Sequence, residues 1–269
     1  MSAGKFARSL LPLHGGGLCD ILKPAMRYTV VVFDLGETLM EYKGMQLSWD
    51  GYYQGAFEYV NEKLALALSP EQIAGSVELL KSYNPRVKAR EQEIAAETIF
   101  SDVVSRWDVK ELPLGKVIAS FFESLKLEPV IYEDSIPTLK RIREAGIKTA
   151  AMTDVASAMP DEFHKQYVSP LLPYFDLYVS SVSCGWRKPN PKGLSDIARH
   201  FSAAPTEMLM IGDTQRDVQA AKNFGCASVL ICRKSNGTDS LPDFGQDYTV
   251  RSAREVGELV ASRADGWSL

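Results

Sequence analysis

Five side chains set far apart in the chain have types that could act together: Asp34, Thr153, Lys188, Asp213 and Asp217. Asp34 closes the apolar run at 30–33, and Thr153 follows the expected strand at 147–152. Lys188 stands before Pro189-Asn190-Pro191, and Asp213 follows the run at 209–211 and Gly212. Carboxylate oxygens suit a hard cation such as Mg²⁺, which keeps several waters and takes one or two protein carboxylates together with substrate phosphate. Asp34 and Asp213, with Asp217 beside them, would supply those oxygens. A carboxylate can also attack phosphorus to form an aspartyl-phosphate, provided a metal and a lysine neutralise the phosphoryl oxygens. Lys188 suits that part, and Thr153 would hydrogen-bond the phosphoryl group near a helix N-terminus. Each residue alone also has a plain structural role. Asp34 reads as a cap for the turn after the strand, Thr153 as a turn residue, Lys188 as a solvated loop lysine and Asp217 as a first-turn charge favoured by the helix dipole.

These residues meet only if the runs that carry them are strands of one sheet. The stretch at 30–33 is continuously apolar and mostly β-branched, which suits a strand buried on both faces of a parallel sheet. From residue 129 onward strand and helix alternate. Strands are expected at 147–152, 175–180, 207–211, 227–232 and 248–250, and helices at 137–145, 191–201, 217–224 and 254–263, with Gly146 and Gly225 as helix stops. Repeated βα units imply an α/β fold with a doubly wound parallel, Rossmann-like sheet, and ligands bind at the carboxyl ends of such strands.

Between the first strand and this alternation the period changes to helix. Trp49, Tyr52, Tyr53, Ala56, Phe57, Val60 and Leu64 recur at helical spacing behind Ser48 as a plausible N-cap, and further helices are expected at 71–81, 91–107 and 114–125. An aromatic stripe of this kind is core before it is a ligand box. The expected organisation is a core of residues 26–43 and 128–269, an all-helical insertion at 44–127, and a flexible extension at 1–25 whose short apolar stretch at 10–13 does not make a signal peptide.

Composition narrows the function classes. The 269 residues are 45% hydrophobic and 24% charged with a formal net charge of −4, an ordinary globular balance without the basic footprint of a nucleic-acid binder. No apolar run approaches the ~20 residues needed to span a bilayer. Four cysteines without CxxC spacing read as reduced thiols of a cytoplasmic protein, and three scattered histidines leave no basis for a zinc site.

The residues resemble the haloacid dehalogenase-like hydrolase superfamily. Its four motifs stand in order at predicted strand ends: FDLGETL at 33–39, Thr153, Lys188 before Pro189, and GDTQRD at 212–217. The resemblance covers about 29–42 and 129–269 as the core, with 44–127 as a helical cap. It implies a nucleophile at Asp34, phosphate binding by Thr153 and Lys188, and Mg²⁺ held by Asp34, the Gly36 carbonyl, Asp213 and Asp217. Gly36 is a departure. Phosphatases of the family usually carry there an aspartate that serves as general acid and base, worth about 10² to 10⁴ in rate. The neighbouring Glu37 has two readings, a substitute acid or a surface charge. Asp154 is a second departure, standing where asparagine is common and adding negative charge near the phosphate.

The function expected is Mg²⁺-dependent hydrolysis of a small phosphorylated metabolite, gated by the helical cap. Two alternatives belong to other classes. One is a non-catalytic or weakly active phospho-ligand-binding member, favoured by Gly36. The other is a 2-haloacid dehalogenase, which Gly212-Asp213 disfavours because the family's dehalogenases lack that metal motif. Tyr52, Tyr53, Arg86 and Arg90 lie where the cap would meet a leaving group, although core and solvent are their plainer places.

Overall fold

Val30, Val31, Val32 and Phe33 form strand β1 (Val30–Phe33), and all four are buried, as a strand covered on both faces requires. The computed structural model describes residues 28–46, 48–109, 112–234 and 241–264, so the extension expected at 1–25 lies outside the described residues. After β1 come β2 (Met40–Tyr42), a 3₁₀ turn (Trp49–Tyr52), and the helices α1 (Tyr53–Lys63), α2 (Pro70–Tyr83), α3 (Ala96–Val104) and α4 (Leu114–Ser124). Next are β3 (Pro129–Ile131), α5 (Ser135–Glu144), β4 (Lys148–Thr153), α6 (Asp161–Val168), β5 (Leu177–Ser180), α7 (Ser181–Cys184) and α8 (Lys192–Phe201). The chain closes with β6 (Met208–Gly212), α9 (Gln215–Phe224), β7 (Ala227–Ile231), β8 (Tyr248–Val250) and α10 (Ala253–Ala264).

Six strands make one parallel sheet in the order β5-β4-β1-β6-β7-β8. The chain winds outward on one side of β1 through β4 and β5, then returns to wind outward on the other through β6, β7 and β8. This reversal places the ligand crevice of a doubly wound sheet at the carboxyl end of β1. The register sets Phe33 beside Ala151 of β4 and Ile211 of β6, so the residues just past all three strands emerge together.

Alternation along β1 divides the core into two layers. Val31 and Phe33 pack with Leu139 and Ile142 of α5 and Val256 and Val260 of α10. Val30 and Val32 pack with Leu194 and Ile197 of α8 and Ala220 and Ala221 of α9. The helices α1–α4 bury a third cluster around Phe57, Leu80, Phe100, Phe121 and Phe122. That cluster does not close on itself: Val155, Ala158 and Met159, from the loop after β4, complete it.

Four local expectations differ. The helix expected from 91 begins at Ala96, because residues 91–93 run antiparallel to the segment before Lys188. The amide of Arg187 donates to the Glu91 carbonyl at 2.6 Å, that of Glu93 to the Gly185 carbonyl at 2.9 Å, and Gln92 bridges Trp186. Ser48 precedes a 3₁₀ turn without capping it, its hydroxyl donating to Asp50 instead. The ladder of β2 with β3 was not expected, since three residues per strand are too few to show a period. Neither was α6, although Pro160 followed by Asp161 and Glu162 is a helix-start signal. Among the described residues no helix is long and apolar enough to cross a membrane, and Cys184 and Cys226 are free thiols.

Candidate active site

The five residues converge at the carboxyl edge of the sheet. Asp34 leaves β1 with its amide donating to the Ile211 carbonyl at 2.8 Å, and its side chain is buried. Thr153 is the last residue of β4, Asp213 follows β6, and Asp217 lies in the first turn of α9. Lys188 stands on the loop between α7 and α8, only 4% exposed, behind a cis peptide to Pro189. Its Nζ donates to Asp217 Oδ1 at 2.5 Å and lies 2.8 Å from Asp34 Oδ1, with the Met152 carbonyl at 3.4 Å. This lysine is not a solvated one.

Asp217 divides its two oxygens between the start of α9 and Lys188. Its Oδ2 accepts from the Thr214 amide at 3.0 Å and the Thr214 hydroxyl at 2.5 Å, which fastens the start of α9, while Oδ1 faces Lys188. Gly212 makes room for this arrangement, since a Cβ there would fall on the Asp217 carboxyl group. Asp213 is met by the Thr38 hydroxyl at 3.4 Å.

Two carboxylates, Asp34 and Asp217, therefore share one ammonium, with the Asp213 carboxyl group nearby. Burial raises the Asp34 pKa, Lys188 lowers it and Asp217 raises it again, for a net rise to about 6. Burial and then the charges of Asp34 and Asp217 push Asp213 up to about 8. Burial works against the charge of Lys188, but Asp217, Asp34 and Asp154 together hold its pKa above the ordinary lysine value. One oxygen from each of Asp34, Asp213 and Asp217 lies within 4.8 Å of the others, close to the span of oxygens around a single small hard cation. Carboxylate donors and a deficit of positive charge fit Mg²⁺ better than a softer metal.

Above these groups lies a cavity of about 490 Å³. The strand ends contribute Asp34, Thr153, Lys188 and Asp213, and the opposite wall is Tyr42, Met45, Trp49, Tyr53, Phe121 and Phe122, with Asn84, Pro85 and Arg86 beside them. A family model described as haloacid dehalogenase-like hydrolase matches residues 28–225. The chain belongs to that family. Among curated relatives, the phosphoglycolate phosphatase of Vibrio parahaemolyticus serotype O3:K6 is 30% identical over 134 residues, which are 50% of this chain and 58% of that protein. The match thus spans little more than half of that relative. The glyceraldehyde 3-phosphate phosphatase of Methanopyrus kandleri is 27% identical over 238 residues, 86% of this chain and 97% of the relative. Among solved structures, the HAD phosphatase from Thermococcus onnurineus shares the fold with a TM-score of 0.57 at 19% identity, covering 86% of this chain and 97% of that one.

Against the family pattern, Gly36 is exposed at the cavity with open space where a Cβ would stand. Glu37, half-buried at the cavity, adopts φ 56° and pairs its carboxylate with Lys234 at 2.5 Å. Asp154 turns its charge to the Lys188 loop, where Oδ1 accepts the Lys188 amide at 3.1 Å and Oδ2 lies 3.9 Å from Arg187. Thr153 is not followed directly by a helix, because α6 starts only at Asp161. Of the four cap-side residues weighed from sequence, Tyr53 and Arg86 line the cavity. Tyr52 donates to the Gly44 carbonyl at 3.3 Å, and Arg90 pairs with Glu93 at 3.0 Å. Sequence reasoning missed Thr38, Thr214, and the buried pair of Arg187 with Glu93. Thr38 and Thr214 lie inside the quoted motifs and were open to notice. The Arg187 pairing has no local signal.

Proposed function

We propose that the chain is a phosphomonoester hydrolase that works through an aspartyl-phosphate on Asp34, acting on a small phosphorylated metabolite in the cytoplasm. The observation that carries this is the triangle of Asp34, Lys188 and Asp217, with the Asp213 carboxyl group completing an oxygen cluster at the base of one cavity. Relatives named for phosphate-ester substrates support it.

In the first step an Asp34 carboxylate oxygen bonds to phosphorus, and the phosphorus bond to the leaving oxygen breaks with its electron pair going to that oxygen. The leaving oxygen takes a proton from solvent; water then bonds to phosphorus, one of its protons staying with inorganic phosphate and the other passing to solvent, while the bond to Asp34 breaks with its pair returning to the carboxylate. Lys188 and Thr153 hold the phosphoryl oxygens in line for both steps. Asp34, the Gly36 carbonyl and Asp213 would hold Mg²⁺ with Asp217 alongside, and when bound the ion neutralises phosphoryl charge. The helical insertion serves as a cap whose aromatic wall excludes water.

The test is phosphate release from an aryl phosphate with and without Mg²⁺, beside Asp34→Asn. Metal-dependent release that falls by about 10³-fold or more in the variant is expected. A wild-type rate equal to that of the variant would favour instead a phospho-ligand-binding protein with little turnover, the reading to which Gly36 points.

A further inference from the structure

We infer that the natural substrate is an aromatic phosphate monoester, whose leaving oxygen departs as a stabilised anion and whose ring lies against the helical wall of the cavity. This deepens the phosphohydrolase reading and rests on it. Two independent observations meet here, one about what surrounds the leaving group and one about what could protonate it.

The wall facing the strand ends is largely aromatic, with Asn84 and Arg86 beside the rings. Tyr42 and Trp49 meet edge to face with ring centres 5.5 Å apart, as do Phe121 and Phe122 at 5.3 Å, and all four line the cavity with Tyr53 and Met45. Aromatic pairs so locked present a fixed surface, and ring stacking or edge contact is what such a surface recognises. A short polar leaving group would leave most of it bare.

Among the described residues, every acid around the cavity outside the nucleophile and cation cluster already has a partner. The Glu37 carboxylate pairs with Lys234 at 2.5 Å, and Glu41 accepts from the Tyr132 hydroxyl at 3.1 Å and lies 3.5 Å from Lys234. Asp154 accepts the Lys188 amide. His164 is 2.8 Å from the Tyr178 hydroxyl, which in turn donates to Asp161 at 3.1 Å, so the ring is fixed by its Nδ1 and burial keeps it neutral. Gly36 has no side chain to contribute. A leaving oxygen in this cavity takes the electron pair of the broken phosphorus bond and meets no unpartnered carboxyl group or charged imidazole there, the one unpartnered hydroxyl among the groups named above being the weakly acidic Tyr42 phenol. Phenols, with a pKa near 10 as for tyrosine, tolerate this, whereas aliphatic alcohols are much weaker acids and need the donor that general acid catalysis supplies.

The experiment takes the full chain with Mg²⁺ and compares kcat/KM for aryl phosphates of graded phenol acidity with that for an alkyl phosphate such as glycerol phosphate. Phenylphosphonate and methylphosphonate are measured as competitive inhibitors of the best aryl ester. Expected are a fall of more than about 10³-fold from the most acidic phenol to the alkyl ester, and phenylphosphonate inhibiting about tenfold more tightly than methylphosphonate. Gly36→Asp, for which there is open space, should raise the alkyl-to-aryl ratio of kcat/KM by about tenfold or more. Alkyl esters turned over within tenfold of aryl ones, or the two phosphonates inhibiting equally, would overturn the assignment while leaving the hydrolase reading intact. Absence of Asp34-dependent phosphate release from every ester overturns both.

Discussion

The two sides of the cavity are built on opposite terms. On the strand-end side nearly every polar atom is spoken for by another: Lys188 by Asp34 and Asp217, Asp217 by Thr214, Asp213 by Thr38. On the helical side the lining is largely rings held by other rings, whose order comes from packing and not from hydrogen bonds. The first kind of surface suits a reaction, because charges in a fixed array respond to charge that develops between them, on phosphorus in the function proposed above. The second fixes which molecules fit, and it tolerates change in proportion to how well neighbours can repack.

That contrast predicts where substitutions bite. The largest effect is expected at Gly212→Ala, which drives the Asp217 carboxyl away from Lys188 and Thr214. Leaving Lys188 buried with one partner fewer should cost about 3–5 kcal/mol by urea unfolding, together with loss of turnover. Equal midpoints for variant and wild type would mean that Asp217 does not depend on the missing Cβ. Next comes Arg187→Met, which takes from Glu93 the more deeply enclosed of its two arginine partners and leaves it Arg90 at 3.0 Å. A loss of about 3 kcal/mol is expected by urea unfolding, since breaking a buried pair singly is costly, and an unchanged midpoint would mean that Arg90 alone satisfies Glu93.

A smaller, pH-dependent effect belongs to His164. Burial holds its pKa at about 4 in the folded chain against an ordinary 6.5. The unfolded chain therefore binds more protons, and stability falls as pH drops through 6.5 toward 4. Between pH 7 and pH 5 the histidine should account for about 2 kcal/mol of lost stability. The His164→Phe variant should show a correspondingly flatter profile, and an unchanged slope would assign the acid sensitivity elsewhere. Smallest is Thr38→Val, removing a long hydrogen bond to Asp213 for about 0.5–1.5 kcal/mol at the denaturation midpoint.

The same contrast explains what the sequence disclosed. β1 and the place of Asp34 were legible because a buried parallel strand is continuously apolar and ends abruptly in polar residues. Asp213, Thr153 and Lys188 were legible for the same reason, being the first polar residues past an apolar run or beside fixed prolines. The aromatic wall was only half visible: helical spacing marks Tyr53 and Phe57 as facing inward, but not that Tyr53 borders a cavity while Phe57 packs against Phe121. The start of α3 was misplaced because residues 91–93 take their hydrogen bonds from residues more than ninety positions away, and no local period reports that. The reason for Gly212 is likewise tertiary, lying in the position of the Asp217 side chain.

The antiparallel contact of residues 91–93 with 185–187 has a bearing on how such a protein could diversify. The strip that leads into α3 is clasped to the very loop that delivers Lys188, by two backbone hydrogen bonds and the Arg187–Glu93 pair. Transplanting the helical insertion from a relative would therefore not be a neutral exchange of modules. A graft lacking an acid at 93 would strand Arg187 and loosen the lysine one residue away. New specificity in this lineage is thus expected to travel as a linked inheritance of two segments, the insertion and its clasp, and chimaeras should keep Lys188 in place only when both are moved together.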